Sequence, residues 1–129
     1  MPIAIKNDKA DLSSEKKTEE LALKFLNKLK PGNIVFLYGE MGVGKTTFVR
    51  YLINGFQKKN KLRLTEVTSP TFNLLSEYNI NNLTIKHYDL YRLKNEREID
   101  SLGLFEEEPD SIILVEWPEI IKRDLKNLI

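Results

Sequence analysis

The residues of this chain best suited to chemistry by type and spacing are Gly39-Glu40-Met41-Gly42-Val43-Gly44-Lys45-Thr46. They satisfy the pattern G-x-x-x-x-G-K-[ST], which builds a phosphate-binding loop. Glycines let the backbone turn so that successive N–H groups point inward, and Glu40, Met41, Gly42, Val43 and Gly44 then form a cup for a polyphosphate. A helix starting after the loop adds the positive end of its dipole at the same spot. Lys45 reaches the β- and γ-phosphates as a mobile cation, and Thr46 offers its hydroxyl to Mg²⁺. In a chain of 129 residues such a match arises by chance roughly a few times in a thousand.

Hydrolysis also needs a carboxylate that holds metal or orients water, normally at the end of a neighbouring apolar strand. Glu116 follows such a run, and Asp89, within His87-Tyr88-Asp89-Leu90-Tyr91-Arg92, is a second candidate. With Thr46 these two are the expected magnesium ligands. The plainer readings are a strand-end glutamate facing solvent and a surface acid paired with Arg92. Thr71, in Ser69-Pro70-Thr71-Phe72, is placed to sense the γ-phosphate from a switch loop, although Ser and Thr beside Pro also simply make turns. The preceding residues 65–70 are mostly polar, so a mobile loop is expected. His87 reads as a strand packing residue rather than a base, and Trp117 as core or partner-facing. Asp100-Ser101-Leu102-Gly103 matches the D-x-x-G of GTPases by chance, since Glu96-Arg97-Glu98-Ile99 and not a buried strand precedes it. With no N-K-x-D guanine-reading motif, ATP is favoured over GTP.

These groups need a frame. Ser13 or Ser14 caps a helix whose Leu21, Phe25 and Leu29 recur every four residues, and Pro31-Gly32 stops it. Ile34-Val35-Phe36-Leu37-Tyr38 is apolar on both faces, as in a buried parallel strand, and feeds the loop. From Lys45 onward Phe48, Val49, Leu52, Ile53 and Phe56 mark an amphipathic helix fading at residues 57–59. Residues 72–78 and 83–88 read as an antiparallel hairpin around Asn79-Ile80-Asn81-Asn82. Residues 95–102 suggest a short polar helix ending at Gly103, and residues 112–115 a second buried strand. The order implies an α/β fold of the phosphate-loop NTPase kind: a small mixed sheet with parallel core strands and an antiparallel edge hairpin, flanked by helices.

Length fits one domain over residues 1–129. With 20 Lys+Arg against 19 Asp+Glu the net charge is +1, so nothing pulls the whole surface toward nucleic acid or anionic lipid. The chain has no cysteine and a single histidine, which excludes disulfides, thiolate nucleophiles, Cys-ligated metal and paired-histidine sites. The N-terminus lacks a basic segment followed by a long apolar one, and the longest apolar runs are strand-sized. A cytoplasmic protein without membrane contact is the expectation.

Taken together, Gly39 through Thr47, Ser69-Pro70-Thr71-Phe72, His87-Tyr88-Asp89-Leu90-Tyr91-Arg92 and Leu114-Val115-Glu116-Trp117-Pro118-Glu119, in this order, closely resemble the bacterial TsaE (YjeE) family. These are phosphate-loop ATPases needed for N6-threonylcarbamoyladenosine beside the anticodon of tRNAs. The resemblance implies that Lys45 and Thr46 hold phosphate and magnesium and that Thr47 contributes to nucleotide binding. It puts Thr71 in a mobile switch segment, Asp89 in the catalytic metal and water network, and Glu116 at a Walker-B-like position with Trp117 beside the nucleotide. It further implies two partners, a TsaB–TsaD type threonylcarbamoyl-transferring complex, with tRNA reached only through that complex. Members usually continue into further strands, whereas this chain stops at Ile129, so either a C-terminus truncated relative to the family or a smaller sheet is expected.

Two other classes share the loop. A small nucleoside or metabolite kinase adds a lid with arginines, but Arg50, Arg63, Arg92 and Arg97 are scattered. A nucleotide-gated binding module keeps the loop without significant turnover.

Overall fold

The computed structural model describes residues 2–5, 8–11, 14–38, 44–68, 70, 73–104, 106 and 109–122, with the backbone alone for 2–5 and 8–11. The Ser14 side chain accepts the Lys17 N–H at 3.2 Å and starts α1 (Glu15–Lys28). Ala22 and Phe25 of this helix are buried, and Leu29, just past its end, is buried with them. Strand β3 (Ile34–Leu37) follows. Gly44, at φ 95°, then precedes α2 (Lys45–Lys59), a left-handed cap position for which glycine is the natural choice.

The expected hairpin forms from β4 (Leu75–Ile80) and β5 (Leu83–Asp89), paired antiparallel with Ile80 opposite Leu83. The short helix contracts to α3 (Arg97–Asp100), and β6 (Ser111–Glu116) is buried along its whole length. The order β3-β6-β5-β4 makes β3, β6 and β5 mutually parallel and leaves β4 as the antiparallel edge. A further antiparallel pair, β1 (Pro2–Ile5) with β2 (Asp8–Asp11), precedes α1 and was not anticipated from sequence. Both strands are short, and Asp8-Lys9-Ala10-Asp11 carries no apolar alternation to announce itself.

Strand alternation divides the sheet into two chemically different faces. Val35 and Leu37, Ile85, and Ile112 and Leu114 pack under α1 and α2, against Phe25, Phe48, Leu52 and Ile53. Phe25 and Phe48 meet edge to face at 5.8 Å, and a Cβ on Gly55 would lie 3.2 Å from Leu26, so the glycine permits the close approach of the helices. On the opposite face Phe36, Tyr88, Ile113 and Val115 pack with Leu90, Ile99 and Leu104. The Tyr88 hydroxyl donates to the Leu102 carbonyl at 3.0 Å, tying the α3 region to the sheet.

The stretch after α2 departs from expectation. Gln57 donates to the Thr65 hydroxyl at 2.9 Å and accepts the Thr65 N–H at 3.2 Å, while Asn54 donates to the Thr65 carbonyl at 3.1 Å. Val67 is buried in the helical core cluster. Polar composition at 65–67 therefore accompanies anchorage rather than freedom, because the anchors are hydrogen bonds that apolar counting overlooks.

Candidate functional site

The site grows from one consequence of parallel pairing: the C-terminal ends of β5 and β6 finish side by side, with Asp89 opposite Glu116. The Leu90 N–H donates to the Glu116 carbonyl at 3.1 Å, locking that register at its end. Counting back by twos, His87 and Asp89 share the face of Ile85, and Glu116 that of Leu114. This is the face under α2, whose first residue is Lys45. Strand ends and helix head thus deliver a histidine, two carboxylates and a lysine to one corner.

Every one of these polar groups is buried. Glu116 is 3% exposed and Asp89 7%, which rules out a solvent-facing strand-end glutamate and a surface aspartate. Asp89 Oδ1 accepts the Tyr91 N–H at 3.0 Å. His87 is fully enclosed, with Nε2 2.6 Å from Glu116 Oε2. Lys45 is held below the usual lysine pKa of 10.5 mainly by burial, against the opposing attraction of Glu116, Asp89 and Glu119. Its Nζ lies 3.9 Å from the centre of the Trp117 ring, a close cation–π contact.

Trp117 reaches that position through unusual backbone. Its φ of 57° and ψ of 54° are left-handed, which is uncommon for a bulky residue, and it turns the chain into the 3₁₀ segment Pro118–Ile120. The ring also packs on Tyr91, with centroids 4.8 Å apart. Trp117 is therefore neither plain core nor a detached surface aromatic.

The structure brings Lys45, Asp89, Glu116 and Trp117 together. Thr46 and Thr47 follow Lys45 in the first turn of α2, both half-buried, and Gly44 caps it. Glu40, Met41, Gly42, Val43 and Thr71 lie outside the described residues. Asp100 sits in α3 and is exposed, so the D-x-x-G match plays no part at a strand end. Sequence reasoning placed His87 in the strand packing, where it is buried, without anticipating its contact with Glu116. The available signal was its period-two relation to Asp89, but its meeting with Glu116 depends on register between strands far apart in the chain.

Among the described residues no group of three or more His, Cys, Asp or Glu could hold a metal ion. Mg²⁺ carried with phosphate would use one or two protein carboxylates beside phosphate oxygens rather than an all-protein cage. Two buried carboxylates at adjacent strand ends, facing a desolvated lysine at a helix head, provide such a partial set.

A parallel strand leading toward a glycine-capped helix with lysine at its head, and carboxylates closing neighbouring strands, define a protein of the phosphate-loop fold class. The solved structure of Bacillus subtilis YdiB shares this fold with a TM-score of 0.60 and 27% identity, over 90% of this chain and 66% of that one. Residues 12–128 match the family described as "Threonylcarbamoyl adenosine biosynthesis protein TsaE". The chain belongs to the TsaE family. A Rickettsia conorii protein named "tRNA threonylcarbamoyladenosine biosynthesis protein TsaE" is 50% identical over 86% of this chain, which spans 61% of that relative. A Bacillus subtilis protein of the same name is 40% identical over 74% of this chain and 57% of its own length. No helix among the described residues is long and apolar enough to cross a membrane.

Proposed function

We propose that this protein binds ATP with Mg²⁺ and hydrolyses it to ADP and phosphate in support of N6-threonylcarbamoyladenosine modification of tRNA. The observation that carries the reading is the buried Lys45 ammonium at the head of α2, with Glu116 and Asp89 on the strand ends below it. Lys45 lifts from the Trp117 ring to meet the β- and γ-phosphates. Glu40, Met41, Gly42, Val43 and Gly44 contribute backbone N–H groups, Thr46 its hydroxyl, and Thr47 and Trp117 further contacts to the nucleotide. Mg²⁺, when bound, would supply neutralisation of the negative charge that develops on the phosphates. Asp89 and Glu116 would hold that ion and orient the attacking water. Thr71 reads the γ-phosphate.

The name shared by the relatives supports a setting in tRNA modification. A two-protein TsaB–TsaD type complex in the cytoplasm is the partner we propose, with tRNA reached only through it. Catalysis of this kind depends on positioned charges, and a misplacement of about 1 Å costs roughly 100-fold in rate. Slow turnover alone and faster turnover with the partner follow from this.

A kinase lid receives no support from the arginines: Arg50 is paired with Glu15 at 3.2 Å on the exposed side of α2, and Arg97 lies in α3. The test is ATP titration followed by Trp117 fluorescence, then phosphate release with and without the partner heterodimer. Binding, slow release alone and stimulation by the heterodimer are expected. Full-speed hydrolysis indifferent to the partner would refute the gating, and transfer to nucleosides in place of water would favour a kinase.

A further inference from the structure

We propose that His87 is a positioning residue for Glu116, an inference that rests on the ATPase reading. An imidazole enclosed at 0% exposure costs free energy unless its nitrogens find partners. A histidine kept only for packing would satisfy both nitrogens or give way to an aliphatic residue. His87 does neither. Nε2 lies 2.6 Å from Glu116 Oε2, while Nδ1 has no hydrogen-bond partner among the described residues.

That asymmetry fixes the ring's chemistry. A proton on Nδ1 would bury an N–H with no acceptor, whereas a bare Nδ1 lone pair is the less costly orphan. The proton therefore sits on Nε2, and Nε2–H donates to the Glu116 carboxylate. The bond sets the rotation of the carboxyl group about its own axis and occupies Oε2. Oε1 is left as the oxygen for work at the mouth of the site. The ring itself cannot drift, because β5 is paired on both sides, with His87 opposite Ser76 on β4 and Leu114 on β6. His87 thus acts on the reaction through Glu116, as outer partners of metal-binding carboxylates do.

Conservative substitution separates this role from packing. His87→Gln keeps an N–H donor near the Nε2 position, and His87→Leu keeps bulk without one. Phosphate release would be measured for the parent and both variants, each also combined with Glu116→Gln, in the presence of the partner heterodimer. ATP affinity would be read from Trp117 fluorescence. We expect His87→Leu to lower kcat by about 10- to 100-fold with ATP affinity nearly unchanged, His87→Gln to recover most of the rate, and His87→Leu to add nothing in the Glu116→Gln background. The chain has a single histidine, so its imidazole nitrogen resonances need no assignment and should show the proton on Nε2 in the parent.

Full rate in His87→Leu overturns the inference, as does equal loss in both histidine variants that melt like the parent, or multiplication of effects with Glu116→Gln. A proton on Nδ1 overturns it even if His87→Leu fails to fold. No phosphate release from the parent with its partner would overturn the ATPase reading and this inference with it. Release from the parent that ignores His87 overturns this inference alone.

Discussion

Two polar clusters are built against α2, and they are finished differently. Towards its C-terminal end Asn54, Gln57 and Thr65 close a network of neutral hydrogen bonds, in which Gln57 uses both its oxygen and its nitrogen. At its N-terminal end Lys45 sits desolvated over an aromatic ring, Trp117 is held in left-handed backbone, and His87 keeps an orphan nitrogen. The first cluster satisfies itself and stabilises the fold. The second gathers ionisable groups into a desolvated corner, which is how a candidate functional site differs from a structural network.

The comparison breaks most visibly through Lys45. Lys45→Met, which keeps the apolar stem, should lose about 100- to 1,000-fold in ATP hydrolysis and bind ATP weakly. Phosphate-release assays check this, and unchanged turnover would remove the phosphate-loop reading.

Asp89→Asn and Glu116→Gln come next. Each preserves shape but removes charge used chiefly in the transition state, so each should lower kcat by about 100-fold with little change in ATP affinity. Steady-state kinetics beside fluorescence titration separates the two quantities. A parental rate in either variant would return that residue to a structural role.

The pH dependence sharpens the contrast through opposite signs. Because burial lowers the Lys45 pKa, the unfolded chain holds this proton to higher pH than the folded one. Between the lowered value and 10.5 the Lys45 contribution to stability rises with pH, while ATP affinity falls as the cation is lost. Tyr38 and Tyr78, raised by burial, contribute the opposite slope to stability at alkaline pH. Subtracting Lys45→Met melting curves from those of the parent cancels them and should leave a positive slope; ATP affinity in the variant should lack the alkaline fall.

At the other end of the helix, Gln57→Ala should cost about 1–3 kcal/mol by leaving buried groups of the Thr65 segment without their partners. Urea denaturation measures the loss, and kcat should stay near parental. Ser14→Ala is the smallest effect, about 1 kcal/mol from the α1 cap, again visible only in stability.

How much of this was legible in the sequence follows from how local each signal is. The loop motif, the amphipathic run from Phe48 to Phe56, the hairpin and the buried strand before Glu116 are contiguous patterns, and all of their described parts form. Glu116 could be nominated because it ends an apolar strand, and Asp89 as a second carboxylate within residues 87–92, but their adjacency required the parallel β5–β6 register. His87 with Glu116, and Lys45 with Trp117, join residues 29 and 72 positions apart, and no local pattern encodes such meetings. The anchors of Thr65 are amide hydrogen bonds from α2, which composition does not signal, and the β1–β2 pair is hidden because strands of four residues, the second of them polar, carry almost no periodic signal.

The most direct test of the central claim, that the head of α2 is built for an anionic ligand and not for stability, is thermal melting of the parent and Lys45→Met with and without ATP·Mg²⁺. A ligand that binds only the folded chain stabilises it by an amount that grows with the logarithm of concentration over Kd, and so raises its melting temperature. Free Lys45→Met is expected to melt no lower than the free parent, and ATP·Mg²⁺ to raise the parent but leave the variant where it was. A variant that melts well below the parent, yet gains the same increment from ATP·Mg²⁺, would make Lys45 a structural residue and contradict the claim.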